Sequence, residues 1–249
     1  MKQADSFFPI HSFEALVSTN IKLAELLKES ELPEFTVILT PNQTEGKGQA
    51  GNSWESEKGK NITISILLKP LFLEPHNQFY ISKVISLAII ETLDLLNIQS
   101  TIKWPNDIYV DDKKIAGILI ENSILGNSIS DSIAGIGLNV NQSIFISDAK
   151  NPISIYNILN EEQSIDELLD YLFRNLLKWH TALIEDEFGK VDREYFGRLY
   201  RKEGFHNFKD STGIFSAEIS SVETSGILIL TDTNGKNRKY AFKEIEFLD

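Results

Sequence analysis

Two lysines, a carboxylate and a carboxamide fall within one short stretch, Lys103-Trp104-Pro105-Asn106-Asp107-Ile108-Tyr109-Val110-Asp111-Asp112-Lys113-Lys114. Lys103, Asn106, Asp107 and Lys114 on one rigid support suit a substrate whose negative charge grows during reaction. A phosphate or a phosphoanhydride is such a substrate, because fixed cations offset the charge as it develops. The support reads as a β-hairpin. Ile108-Tyr109-Val110 is β-branched and aromatic, Asp111-Asp112-Lys113 is a polar turn, and Ile115 to Ile120 is apolar again. Pro105 fixes its own φ and pushes Trp104 out of helical space, which sets the angle at which Asn106 and Asp107 enter the hairpin. Taken alone, the hairpin is more simply a solvated turn with surface lysines, as charge runs usually are.

A second candidate lies upstream, in Pro41-Asn42-Gln43-Thr44-Glu45-Gly46-Lys47-Gly48-Gln49-Ala50-Gly51-Asn52-Ser53-Trp54. Three glycines among polar residues form neither helix nor strand comfortably, and their amides can approach a ligand closely. The loop is not a Walker A, because Gly46-Lys47 is followed by Gly48 and not by Ser or Thr. By itself it is a connector.

The elements that must hold these stretches follow from periodicity. Ile10 to Val17 contains a short strand. Ser18-Thr19-Asn20 then leads into a helix whose apolar positions 21, 24 and 27 share a face, with Ser18 or Thr19 as N-cap. Phe35 to Leu39 is a buried strand. Asn61 to Leu68 alternates, with Ile62, Ile64, Ile66 and Leu68 on its dry side. Pro75 to Asn97 repeats Ile81, Val84, Ile85, Ala88 and Leu95 at helical spacing. Ser130 to Asn141 is a strand whose glycines allow close backbone approach. Ser164 to about Glu187 and Val191 to Tyr200 are helical, with Leu168, Leu169, Leu172, Leu176 and Trp179 as a core stripe. Beyond Tyr200, Ile214 to Ser220, Ile227 to Leu230 and Arg238 to Phe242 alternate between hairpin signals at Gly226 and Asn234-Gly235, which suggests a small SH3-like barrel.

Composition narrows the classes. The chain has 249 residues, 42% of them hydrophobic, enough for one large domain and one small one. It has no cysteine, so disulfides, thiolate metal sites and thiol nucleophiles are excluded. A net charge of −12 argues against nucleic-acid binding, whose affinity comes largely from Lys and Arg on phosphates. No apolar run approaches the roughly 20 residues of a membrane span, and Met1 to Asp5 lacks a signal peptide's pattern. A soluble cytoplasmic protein is expected.

Set in order, these fragments resemble one family over nearly the whole chain. Ser18-Thr19-Asn20, the glycine loop closed by Trp54, Lys103-Trp104-Pro105-Asn106-Asp107, Lys114-Ile115-Ala116-Gly117 and Gly135-Ile136-Gly137-Leu138-Asn139 are similar to motifs of the biotin protein ligases. The resemblance implies an α+β fold: a mixed sheet flanked by helices, of the class II synthetase-like biotin/lipoate ligase type, over residues 1–200. A C-terminal SH3-like β-barrel over 201–249 would follow. Too little chain precedes Ser18 for a winged helix-turn-helix, so the monofunctional type without an amino-terminal DNA-binding module is expected.

The implied activity has two steps. Biotin is activated with ATP as biotinyl-5′-adenylate, then transferred to a lysine of a biotin carboxyl carrier domain, that of acetyl-CoA carboxylase or a related carboxylase. By the resemblance, Lys114, Lys103, Asn106 and Asp107 are catalytic, and Lys114 holds the biotin carboxylate and the nearby phosphate. Ser18, Thr19, Asn20 and Gln43 bind the ureido ring, and Gly117 and Gly135 line its slot. Lys47, Gly48 and Gln49 cover the adenylate, and Asn106 assists at ATP. Trp54 and Asn139 contact adenine. ATP and Mg²⁺ are required, the metal held mainly by phosphates and by no dedicated protein site. Asp107 either reaches that metal through water or steers the incoming amine. A homodimer formed through a sheet edge stays open. Lys47 stands where the family usually has Arg and Gln49 where it often does, so a looser hold on the adenylate is expected. A lipoate or octanoate ligase and a non-catalytic biotin-binding protein are the alternatives.

Overall fold

The alternating run that begins at Asn61 lies in the middle of a seven-stranded sheet. The computed structural model describes residues 7–147 and 151–248, so Met1 to Asp5, which bears on a leader segment, lies outside it. The first strands are β1 (Ile10–Ser12), β2 (Val37–Leu39), β3 (Gly46–Lys47), β4 (Ser53–Trp54), β5 (Ile62–Leu68), β6 (Thr101–Lys103), β7 (Asp107–Val110), β8 (Lys113–Leu125) and β9 (Ser128–Leu138). The helices are α1 (Thr19–Glu29), α2 (Phe79–Asp94), α3 (Ile155–Leu159), α4 (Ile165–Ile184) and α5 (Phe188–Gly197). The main sheet runs β1-β2-β5-β9-β8-β7-β6. Its β1–β2 pair is parallel and the other neighbours are antiparallel, which makes the sheet mixed, as expected.

Each face of the sheet is covered. Ile62, Ile64, Ile66 and Leu68 join Ile118, Ile136 and Leu138 in one core with α2 and α4. On the opposite face Leu67, Ile38 and Ile133 close against Leu23 of α1. The sequence points to one dry side for β5, yet all seven of its residues are buried. Thr63 and Ser65 are short enough to lie under α1 and the glycine loop, so alternation of polarity does not here mean alternation of exposure.

Other elements shift by a few residues. β1 stops at Ser12, and Leu16 makes only a single bridge to Gln43. In α1 it is Leu23, not a stripe at 21, 24 and 27, that is fully buried. Pro75–Asn77 is a separate 3₁₀ turn before α2, and Leu95 lies past the helix end and is exposed. The helical stripe on α4 is buried as expected.

The C-terminal strands are β10 (His206–Asp210), β11 (Gly213–Val222), β12 (Leu228–Asp232), β13 (Asn237–Tyr240) and β14 (Glu246–Phe247). They form an antiparallel sheet ordered β13-β12-β11-β10-β14. Its edge strands β13 and β14 are not paired to each other, so the expected barrel is an open, SH3-like sheet. The β11–β12 turn seats on the main domain: Gly226 O accepts from Trp104 Nε1 at 2.9 Å, and Thr224 O accepts from the Phe79 N–H at 3.3 Å. A Cβ at Gly226 would lie 2.8 Å from the Phe79 ring, and its φ is +94°, so glycine is required there.

Within this small sheet Asp210 joins two strands. Its carboxylate accepts from the Thr212 and Tyr240 hydroxyls, at 2.6 and 2.7 Å, and faces Arg238. These contacts hold its pKa down to about 2, from 3.8. A carboxyl depressed in the folded state adds stability above its unfolded pKa of about 4 and loses it as pH falls through the folded value. Urea midpoints measured between pH 5 and pH 2 should therefore fall more steeply for wild type than for Asp210→Asn.

Candidate active site

Strand register places one row of residues across the sheet. Thr63 faces Gly137, Gly137 faces Gly117, Gly117 faces Asp107, and Asp107 faces Lys103. Directly opposed residues share a face, so this row opens on one side of the sheet. The next row on that face holds Ser65, Gly135 and Leu119. The glycines leave a trough. A Cβ at Gly137 would lie 2.3 Å from the Trp54 indole, and one at Gly135 would lie 2.4 Å from Asn20 Oδ1. Neither distance is tolerated, so these positions are glycine because other groups rest on the bare backbone.

Lys114 reaches the same trough through an irregularity. In a regular strand residues 114 and 117 would point to opposite faces. A bulge where β7 pairs with β8, between Ile108 and Tyr109, sets Lys114 opposite Tyr109 and returns it to the face of Gly117. Its Nζ lies 2.7 Å from Asp107 Oδ1 and 5.6 Å from the centre of the Trp54 ring. The turn of this hairpin carries Asp111 at φ +51°, a left-handed conformation that Asp tolerates.

The glycine loop folds over the trough as the β3–β4 ribbon, in which Gly46 pairs with Trp54 and Lys47 with Ser53. Its far end is anchored by Glu55, whose carboxylate accepts from the Ile146 and Ser147 amides and from Gln142 Nε2, at 3.0, 2.8 and 3.0 Å. Burial opposes ionisation there, but these hydrogen bonds outweigh it and hold the carboxyl below its usual range. Gln49 Oε1 and Trp54 Nε1 are buried under the ribbon without a partner, one acceptor and one donor left for a ligand.

Trough, ribbon and C-terminal strands enclose a cleft of about 640 Å³. Ser18, Thr19, Asn20, Gln43, Lys47, Gly48, Gln49, Trp54, Lys103, Asn106, Asp107, Lys114, Gly117 and Gly135 all line it. Ser18 occupies the N-cap position of α1 but makes no side-chain cap bond, so ordinary capping does not account for it. Three of the expected residues have surroundings that set them apart. Lys103 and Lys114 both line the cleft, but each has its own partners. Lys103 Nζ donates to Tyr109 Oη at 3.3 Å and lies 4.5, 5.5 and 5.6 Å from the rings of Tyr109, Tyr200 and Phe247. Asn106 lines the cleft and donates its amide to Ile118 O at 2.5 Å, which fixes the hairpin entry. Asn139 does not line the cleft. It is 2% exposed and donates to Ile153 O at 3.0 Å, although its Oδ1 is buried without a partner.

Residues 12–141 match the model of the Biotin/lipoate A/B protein ligase family. The chain belongs to that family. Among its relatives, the bifunctional ligase/repressor BirA of Bacillus subtilis is 33% identical over 132 residues, which are 52% of this chain and 40% of the relative. The chain thus spans about two-fifths of the length of that relative. The biotin--[acetyl-CoA-carboxylase] ligase of Paracoccus denitrificans is 26% identical over 229 residues, 89% of this chain and 95% of that one. The structure of biotin protein ligase from Aquifex aeolicus in complex with biotin and ATP superposes with a TM-score of 0.79, at 23% identity, over 95% of this chain and 97% of that one. The fold is therefore that of the biotin protein ligases.

In this member of the biotin/lipoate ligase family the sequence left several site residues unmarked. Ser65 is fully buried and lies 2.7 Å from Thr19 Oγ1 and 2.5 Å from Asn20 Oδ1. Its signal was available, as a polar residue on the strand face away from Ile64 and Ile66. Gly137 was visible only as a strand glycine. Tyr200, Phe242, Ile245 and Phe247 line the cleft from the carboxy-terminal part of the chain, and no local pattern announces that. The Tyr200 hydroxyl bonds Asp112, and burial together with that bond pushes its pKa up to about 12, so it stays protonated. Gly137→Ala is expected to lift the Trp54 indole out of the trough. Tryptophan emission should shift to the red and become more open to iodide quenching than in wild type. A Trp54→Phe background should abolish the change, since Trp104 and Trp179 stay buried.

Proposed function

We propose that the chain is an ATP-dependent biotin protein ligase, which makes biotinyl-5′-adenylate and transfers biotin to a lysine of a biotin carboxyl carrier domain. The observation that carries this is the Lys114–Asp107 pair, set inside a glycine trough under the β3–β4 ribbon and beside a polar closed end. The trough admits a flat bicyclic ring over bare backbone. The polar end, with Ser18, Thr19, Asn20 and Gln43, suits a ureido group, and a valerate chain from there would bring its carboxylate to Lys114.

In the first step a carboxylate oxygen of biotin attacks the α-phosphorus of ATP, and the bond to pyrophosphate breaks. Two anions must meet, so the Lys114 ammonium offsets both their repulsion and the charge of the transition state. Lys47, on the exposed ribbon, adds positive charge over the phosphates, while Gln49 Oε1 and Trp54 Nε1 offer hydrogen bonds to the adenylate. Mg²⁺ would supply further neutralisation of the triphosphate. Among the described residues no group of three His, Cys, Asp or Glu is arranged to hold a metal. In this reading the ion would be held mainly by the phosphates, with Asp107 reaching it through water. Asn139, beneath the cleft, offers its unpartnered Oδ1 to adenine only if the local chain moves.

In the second step the neutral amine of the acceptor lysine attacks the anhydride carbonyl. The amide forms, AMP leaves, and the amine gives up a proton. Of the cleft carboxylates Asp112 is engaged by Tyr200 and Glu246 lies 3.5 Å from Lys209, so Asp107, beside Lys114, is the one placed to receive a hydrogen bond from that amine. The domain boundary near residue 200 and a cytoplasmic location belong to the same reading. A lipoate or octanoate substrate would leave the polar closed end unmatched, so competition between biotin and lipoate separates the two ligase classes.

Biotin-dependent exchange between ATP and pyrophosphate tests the proposal directly, and its absence would overturn it. Lys114→Ala should slow adenylate formation on the order of 10²-fold, the effect of losing roughly 3 kcal/mol of transition-state stabilisation. Asp107→Asn should impair transfer from preformed adenylate, and an unimpaired transfer rate would remove Asp107 from the amine step.

A further inference from the structure

At the closed end of the cleft a buried chain of hydrogen bonds runs out to an exposed carboxylate that the functional reading leaves unused. Asn20 Nδ2 donates to Glu121 Oε2 at 2.7 Å and approaches Leu119 O at 3.5 Å. Both partners only accept, so the Asn20 amide is held in one orientation, with Oδ1 turned inward. Ser65 Oγ lies 2.5 Å from that oxygen and 2.7 Å from Thr19 Oγ1. Ser65 has one proton. Asn20 Oδ1 cannot supply one, so at 2.5 Å the proton must come from Ser65. Ser65 then accepts from the Thr19 hydroxyl. Gln43 Oε1 does not compete strongly for that proton: it takes the Thr19 N–H at 2.9 Å and is 3.3 Å from Oγ1. Thr19, Asn20 and Ser65 are 3%, 3% and 0% exposed, so water cannot readily reverse the sequence. Gly135 leaves the space in which Asn20 Oδ1 sits.

We propose that Glu121 is a positioning residue that sets the polarity of this chain, and so makes Thr19 Oγ1 a hydrogen-bond acceptor toward the cleft, selective for a ligand N–H. Each proton in the series points toward the carboxylate, and the Thr19 lone pairs are left for the ligand. Resting on the reading of the cleft as a biotin site, the ligand group is a cyclic urea N–H. A ligand that offers an acceptor at this point would meet an oxygen with no proton to give. Glu121 is exposed on β8 and touches no substrate, so its effect reaches the ligand only through Asn20, Ser65 and Thr19.

Calorimetric titration with biotin and, separately, with ATP tests this, together with melting temperatures. Glu121→Leu should raise the biotin Kd roughly tenfold, equivalent to about 1.4 kcal/mol, and leave the ATP Kd unchanged. Asn20→Asp alone sets two carboxylates against each other and should weaken biotin at least as much. The pair Asn20→Asp with Glu121→Gln restores the polarity, because the new carboxamide on β8 donates to a side chain at position 20 that can only accept. Its biotin Kd should fall well below that of Asn20→Asp, while the cost of a buried carboxylate at position 20 keeps it above wild type. A Glu121→Leu biotin Kd within about twofold of wild type overturns the inference. So does a parallel loss of ATP binding and melting temperature, or a double variant no better than Asn20→Asp. A wild-type chain that binds no biotin overturns instead the functional reading beneath it.

Discussion

The site depends on the lack of side chains at three positions of a sheet that is otherwise filled on both faces. Gly117, Gly135 and Gly137 lie on one face of adjacent strands, and any Cβ at 135 or 137 would collide with a group already resting there. The apolar rows on the opposite face keep these strands in register, because a one-residue slip would turn Ile62, Ile64 and Ile66 out of the core. Each such side chain contributes roughly 1.5–3 kcal/mol on burial. The register that the core enforces is thus the same register that aligns Lys103, Asp107, Gly117, Gly137 and Thr63 across the trough. Core packing and site geometry are one constraint seen from two faces.

The C-terminal sheet is held against the site at two places. Trp104 donates its indole N–H to Gly226, and Lys103 sits among the rings of Tyr109, Tyr200 and Phe247. Two residues of the most conspicuous motif in the chain therefore serve the joint between the two sheets. A cation over several aromatic faces is favourable where water is scarce, so this joint keeps a charge near the cleft without exposing it fully. Lys114 and Asp107, by contrast, pair with each other at 2.7 Å, with Trp54 as the aromatic ring beside Lys114.

Electrostatically, the site separates its charges by function. The closed end is built of hydroxyl and amide groups, with the carboxylate of Glu121 placed at the outer rim. The open end carries Lys114, Asp107 and Lys47. Buried neutral networks of this kind cost little when every donor finds an acceptor, and they give a fixed donor and acceptor pattern. A buried charge at the closed end would have needed a partner of its own.

Several of these features were legible in the residues themselves. The apolar periods of β5, α2 and α4 and the hairpin around Asp111 follow from local sterics and patterning, so the order of letters suffices; the glycine stretch before Trp54 reads as a loop, whereas its ends pair as β3 and β4. The choice of cleft residues came instead from the resemblance to the ligase family, and of these Asn139 falls outside the cleft lining. What local pattern could not decide was anything set by contacts distant in sequence. Alternation made Thr63 and Ser65 look solvent-facing, but α1 and the ribbon bury them. The bulge that turns Lys114 onto the face of Gly117 exists only in the pairing of β7 with β8. The diversion of Lys103 into an aromatic cage needs Phe247, far along the chain, and the polarity imposed by Glu121 needs four segments brought together. Local sequence sets which backbone conformations are cheap. Which faces meet, and which proton points where, is decided by packing between segments that the sequence lists far apart.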